Sequence, residues 1–307
     1  IDIEDAHPRR PRCANFGELI QMDASLHFWF GNSKTQLHAA IDDSTGAIIG
    51  AYFDNEETLN GYYNILYQIL NEYGIPYRFF TDNRTVFEYT KKNSSSIEDD
   101  TFTQFGYACH QLGIDIKTSS VPQAKGRVER LFETLQSRLP IELKLAGVTT
   151  LEHANIFLNS YIKKYNAKFA LHIDSNKSVF EKQPSAEKIN LTLSVITKRK
   201  FDSGHCIRFV NKYFKTVDEM NAPVYHRKGT EALVIKAFDG QLFASVNNNI
   251  YALDEIPIRE TTSKNFDVVV KKTEQPKRYI PPMDHPWKKP SFDNYLKKQS
   301  HLKNKIA

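Results

Sequence analysis

Residues 17 to 54 hold three apolar runs separated only by turn-forming residues, and from there to about Tyr165 helix-like and strand-like segments alternate. Consecutive strands joined by short turns pair antiparallel, whereas strands separated by a helix-length segment return parallel. The first run is GELIQMDASLHFWFG. The next two, in LHAAIDDSTGAIIGAYFD, read as a hairpin about the turn Asp42-Asp43-Ser44-Thr45-Gly46. Apolar residues then recur at Leu59, Tyr62, Tyr63, Leu66, Ile69 and Leu70, which predicts a helix from Glu56 to Tyr73 ended by Gly74 and Pro76. PYRFFTDN is a fourth strand, Lys91 to Asp100 a polar surface insertion, Phe102 to Leu112 a helix capped by Gly113, and IDIKTSS a fifth strand. In SSVPQAKGRVERLFETLQSRLP a loop leads into a helix with Val128, Leu131, Leu135 and Leu139 on one stripe and Pro140 at its end. A last helix runs from Leu151 to about Tyr165.

The expected core is therefore α/β, a mixed five-stranded sheet with helices over residues 17–197, preceded by an arm at 1–16. Between Ser203 and Ile258 short runs separated by turns replace the helical periodicity. These read as a small all-β barrel of about five strands within residues 198–262. Residues 263–307 form a basic tail too polar and proline-rich to build a core.

Charge separates the tail from the body. The net charge is +5, yet residues 264 to 307 hold 11 Lys or Arg against 4 Asp or Glu, a net of +7, which leaves residues 1 to 263 at −2. From charge alone such a tail either contacts the phosphates of an acidic polymer or only keeps the chain soluble. Cys13, Cys109 and Cys206 lie far apart and are odd in number, which excludes a disulfide framework and a clustered zinc site and fits a reducing cytoplasm. No apolar run has a membrane span's length, and the opening IDIEDAHPRR lacks a signal peptide's apolar core. The first residue is Ile, so the chain reads as the remainder of a longer one.

Three acids stand where acids are unexpected. Asp23 interrupts an apolar strand, Asp82 ends the strand PYRFFT, and Glu129 opens a helix after a Gly-containing loop. A carboxylate buried without a partner is costly, and a divalent cation relieves that cost. Mg²⁺ takes oxygen ligands and keeps several waters, so two or three carboxylates suffice to hold it. Two such ions roughly 3.5 to 4 Å apart stabilise both the attacking and the leaving oxygen of a phosphoryl displacement.

QMDAS, TDNRT and SSVPQAKGRVERLFETL, in that order, resemble the three catalytic blocks of the retroviral-integrase and DDE-transposase superfamily. The likeness extends from HPRRPRCANFGELIQMDASLHFWFG through AIDDSTGAIIGAYFD, ETLNGYY and AKGRVERLFETLQSRLP to PPMDHPWKKPSF, and is to bacterial ISNCY-type insertion-sequence transposases. The resemblance implies an RNase H-like core and catalytic roles for Asp23, Asp82 and Glu129 as ligands of two Mg²⁺ ions, with Mn²⁺ able to substitute. It implies metal-dependent strand cleavage at element ends followed by strand transfer into target DNA. It further implies at least a dimer in the active complex, a DNA-binding segment before Ile1, and a cytoplasmic, nucleoid-associated place of action.

Two features depart from the family pattern. Forty-six residues separate Asp82 from Glu129, more than the best-known members place there, and the insertion Lys91 to Asp100 absorbs the difference. Arg84 occupies the position where the pattern after the second aspartate has Gly. Arg84 is a candidate DNA contact or a plain surface residue, and Lys117, Gln123, Lys125, Arg127 and Arg130 around the loop before Glu129 are candidate phosphate contacts, with pairing to Glu133 and solvent the alternative for Arg127 and Arg130. Glu133, four residues on, competes with Glu129 for its role. Asp42 and Asp43 read as turn residues, and His27, His38, His110 and His205 have no ligand-like spacing. The other functions open to such a chain are a catalytically inactive, transposase-derived DNA-binding protein and another RNase H-like nuclease.

Overall fold

The structure is a computed structural model that describes residues 11–82, 97–119, 126–172, 177–257, 278–281, 294, 295 and 298, with backbone alone at 82, 97–103 and 119. The chain divides into two compact units, Ile1–Ile189 and Asn190–Ala307. In the first, β1 (Ile20–His27), β2 (Thr35–Asp42) and β3 (Ile48–Asp54) come in succession. They are followed by α1 (Leu59–Glu72), β4 (Arg78–Asp82), α2 (Ile97–Leu112), β5 (Asp115–Ser119), α3 (Gly126–Leu145) and α4 (Leu151–Phe169). The sheet order is β3-β2-β1-β4-β5. β1, β2 and β3 are antiparallel, and β4 and β5 are added in parallel. This is the mixed five-stranded sheet expected of an RNase H-like core.

Every residue of β2 is buried, because helices cover both faces of the sheet. Leu37, Ala39 and Ile41 pack with Trp29, Phe53 and the stripe Val128, Leu131, Leu135, Leu139 and Leu143 of α3. On the opposite face the imidazole of His38 meets the ring of Tyr62 on α1. The helix α4 runs beside the edge strand β3. Asn155 accepts from the Phe53 N–H and donates to the Phe53 carbonyl, and Asn166 does the same for Ile48. From α1, Gln68 treats Ala51 in this way. Three amide side chains thus take up outward-facing backbone groups that an edge strand leaves open.

Three helix boundaries differ from expectation. α2 begins at Ile97, inside the stretch read as a surface insertion. α4 reaches Phe169, whose ring lies 4.9 Å from that of Tyr165. α3 runs through Pro140 to Leu145. An interior proline costs a helix ~3 kcal/mol, but Leu139 and Leu143 on either side are fully buried and stabilise it by about 1.5–3 kcal/mol each. The helix stops instead at Gly147, whose φ of +68° lets its N–H reach the Lys144 carbonyl and that of Val148 the Leu143 carbonyl.

A short helix, α5 (Ala186–Thr192), spans the boundary between the units. The second unit then forms β6 (Val195–Lys200), β7 (Ile207–Phe209), β8 (Lys212–Val217), β9 (Pro223–Val224), β10 (Glu231–Lys236), β11 (Leu242–Val246) and β12 (Asn249–Ile256). The order is β6-β10-β11-β12-β8-β7, with β9 on β8. β6 and β7, the two ends of that order, lie against each other, so the sheet is nearly closed and barrel-like. Its interior includes Phe201, Ile207, Phe214, Val234, Val246 and Leu253. Among the described residues there are seven strands rather than about five. β6 lies before the runs that begin at Ser203, and a turn at Val210 and Asn211, both at positive φ, divides one apolar run into β7 and β8. The expected basic tail lies almost wholly outside the described residues.

Candidate active site

Asp23 stands half-buried on the central strand, its Oδ1 accepting from the Ala24 N–H at 2.9 Å. β1 and β4 pair in parallel, with Ile20 opposite Phe79 and Gln21 opposite Phe80. Asp23 and Asp82 each follow the last of these rungs by two residues, so the register carries both positions to the same level on neighbouring strands. Adjacent strands lie about 4.8 Å apart.

The helix α3 is laid along β1 at two points. Its Val128 N–H donates to Gln21 Oε1 at 3.2 Å, and Gln136 Nε2 donates to Ser25 Oγ at 2.9 Å. Eight helical residues span about 12 Å and four strand residues about 13 Å, so the two elements run side by side in one direction. Gln21, Asp23 and Ser25 alternate along β1 and share the face turned to α3. At 100° per residue Glu129 lies about 20° around the helix from Gln136, and Glu133 about 60°. Glu129 is therefore the acid of α3 nearer the stripe that faces Asp23. Both glutamates are exposed.

The turn after β2 is built unlike a surface turn. Asp42 and Asp43 have no exposed surface. Asp42 accepts from the Gly17 N–H, the Ser44 hydroxyl and the N–H and hydroxyl of Thr45 at 2.7–2.9 Å. Asp43 Oδ1 accepts from Gln21 Nε2 at 2.8 Å and from Arg127 Nε at 2.7 Å, and Oδ2 accepts from the Cys13 N–H at 2.9 Å. Arg12 donates to the carbonyls of Asp43 and Ser44. Partial burial, then the nearby Arg127, hold the pKa of Arg12 below its ordinary value.

Among residues expected to meet DNA, Lys117 on β5 and Arg130 on α3 are exposed. Arg127 turns inward to Asp43, its side chain 13% exposed. Gln123, Lys125 and Arg84 lie outside the described residues. Gln21, Ser25 and Asp43 do not stand out in the sequence as parts of a site. Their one local sign is the polar residue two positions either side of Asp23 in a strand of otherwise apolar character.

Among the described residues no group of three His, Cys, Asp or Glu side chains converges as a metal site. Asp23 and Glu129 are hard oxygen donors on facing elements, the ligand chemistry that Mg²⁺ takes. Among the described residues zinc has no comparable set, and none of the three cysteines is in a disulfide.

No protein-family profile matches the chain. The structure is similar to the HTLV-2 integrase catalytic core domain in complex with magnesium, at 19% identity and a TM-score of 0.38, covering 54% of this chain and 95% of that one. A putative transposase of Sinorhizobium fredii is 37% identical over 167 residues, 54% of this chain and 36% of its own. The transposase for insertion sequence IS1202 of Streptococcus pneumoniae is 52% identical over 298 residues, 97% of this chain. Nearly the whole chain is thus similar to an insertion-sequence transposase, of whose length it spans 63%.

Proposed function

We propose that this chain carries the catalytic unit of a DNA transposase, a polynucleotidyl transferase that cleaves strands at the ends of its element and transfers them into target DNA. The observation that carries the reading is the placement of α3 along β1. Glu129 lies nearer than Glu133 to the stripe of α3 that faces β1, and the positions of Asp82 and Asp23 are level in the parallel register, which supports the reading. The similarity to the IS1202 transposase over 97% of the chain supports the same activity.

In this reading Asp23, Asp82 and Glu129 hold Mg²⁺ in a two-ion arrangement, with Mn²⁺ able to substitute. Bound there, the metal supplies Lewis acidity toward the scissile phosphate and the hydroxyl that attacks it. The protein contributes fixed carboxylates on rigid elements, so the nucleophile and the phosphate meet in line. Lys117 and Arg130, with Gln123, Lys125 and Arg84, contact DNA phosphates, while Arg127 holds Asp43. The partners are element-end and target DNA and at least a second copy of the chain. The place of action is the cytoplasm at the nucleoid, in keeping with the absence of a membrane-spanning helix among the described residues.

The test is cleavage and strand transfer on duplexes bearing the element ends, with Mg²⁺. Asp23→Asn, Asp82→Asn and Glu129→Gln each lower the rate by roughly 10³-fold, the equivalent of several kcal/mol of metal-centred stabilisation. Glu133→Gln stays within about twofold, as surface changes do. Full activity in Asp82→Asn removes the mechanism, and a large loss in Glu133→Gln alone moves the third ligand to that residue.

A further inference from the structure

The polar residues at positions two before and two after Asp23, on the same face of β1, both hold α3. We infer, on the reading proposed above, that Gln21 and Ser25 are positioning residues that fix Glu129 relative to Asp23, with Asp43 and Arg127 locking Gln21 in place.

Gln21 is an amide with no exposed surface, and both of its ends are engaged. Its Oε1 takes the Val128 N–H, one of the first N–H groups of α3, which have no partner within a helix. Its Nε2 donates to Asp43. The acceptor end meets an N–H and the donor end a carboxylate, so the amide has a single favourable orientation. Arg127 donates to the same Asp43 oxygen, which means that the two residues directly before Glu129 are both tied to the Gln21–Asp43 pair. Asp43 is itself aimed by the Cys13 N–H on its other oxygen and by its own N–H on the Leu19 carbonyl.

A slip of one residue along a helix moves a side chain about 1.5 Å and turns it about 100°. One anchor permits the helix to pivot. The second, Ser25 on Gln136, removes the pivot and leaves Glu129 one position. A helix held for stability alone needs only its apolar stripe, which α3 already has. The polar anchors add direction, and they flank the acid that Glu129 must meet.

The experiment measures Mn²⁺ binding to the full chain by electron paramagnetic resonance, cleavage kinetics on element-end DNA, and Tm. Gln21→Met keeps the volume and loses both hydrogen bonds. It weakens Mn²⁺ binding and lowers kcat by roughly 10- to 100-fold, the range typical of residues that orient metal ligands, and leaves KM for DNA unchanged. In a Glu129→Gln background the same substitution produces no further loss of Mn²⁺ affinity. Ser25→Ala, a milder change that carries the test if Gln21→Met fails to fold, loses about 2- to 10-fold, the worth of one neutral hydrogen bond. Asn155→Ala on the edge strand is the control: it lowers Tm and leaves Mn²⁺ affinity as it was.

If Gln21→Met and Ser25→Ala lower Tm with Mn²⁺ affinity and kcat intact, both residues are structural and the inference is overturned. If Glu129→Gln by itself leaves Mn²⁺ binding and cleavage intact, the assignment of Glu129 fails first, visibly and without touching Gln21, and the inference falls with it.

Discussion

His38 sits on β2 with no exposed surface and its ring against α1. Its Nδ1 lies 3.3 Å from the Tyr52 carbonyl and its Nε2 3.3 Å from the Thr58 N–H. A carbonyl needs a donor and an N–H an acceptor, so the ring is the neutral Nδ1–H tautomer. Burial pushes its pKa down from 6.5 to about 4. Between those values the unfolded chain binds a proton that the folded chain does not, so stability falls as pH drops from 6.5 toward 4 and levels off below. The loss is about 3 kcal/mol. Urea unfolding across that range measures it, and His38→Gln removes the histidine's share of the slope. A Cβ at Gly61 would meet the same imidazole, so Gly61→Ala is destabilising although alanine is the better helix former. At the buried carboxylate of Asp43, Arg127→Ala removes the ion-pair partner at 2.7 Å and lowers the unfolding free energy by about 3–5 kcal/mol. Nothing local announces these burials. In the sequence His38 is one of ten histidines and Asp43 one of two turn acids.

At the scale of elements, edge protection and helix termination are the features that carry predictions. Asn155 and Asn166 of α4 replace the neighbouring strand that β3 lacks. Asn166→Ala leaves the Ile48 backbone pair without its amide and lowers stability by about 1–3 kcal/mol. Light scattering near the midpoint of unfolding then rises, because an open edge recruits other strands. Pro140→Ala has the opposite sign. The helix already continues through that residue, so restoring the missing bond raises the unfolding free energy by about 1–2 kcal/mol, less than the full proline penalty because the unfolded chain also gains freedom. Most elements are legible because three-and-four spacing, hairpin turns and terminal glycines act within a few residues. Pro140 reads as a helix end for the converse reason. Its local veto is outweighed by Leu139 and Leu143, whose burial depends on β2 and α4.

At the scale of the molecule, two separate cores and a charged tail divide the work. The +7 of residues 264 to 307 stands against −2 in the rest of the chain. Deleting that segment flattens the salt dependence of DNA binding by about 0.9 in the log–log slope for each phosphate the tail no longer neutralises, measurable by fluorescence anisotropy. An unchanged slope would exclude the tail from phosphate binding. The order of strands and helices, the switch from antiparallel to parallel pairing and the positions of three conspicuous acids are readable from the sequence, because periodicity and turn chemistry are local. Only the tertiary structure decided that Glu129 rather than Glu133 lies nearer the stripe facing Asp23, that Arg127 turns inward, and that Gln21 and Asp43 hold a helix 107 and 84 residues further along the chain. Those facts join distant positions, and packing brings such positions together where no local pattern records it.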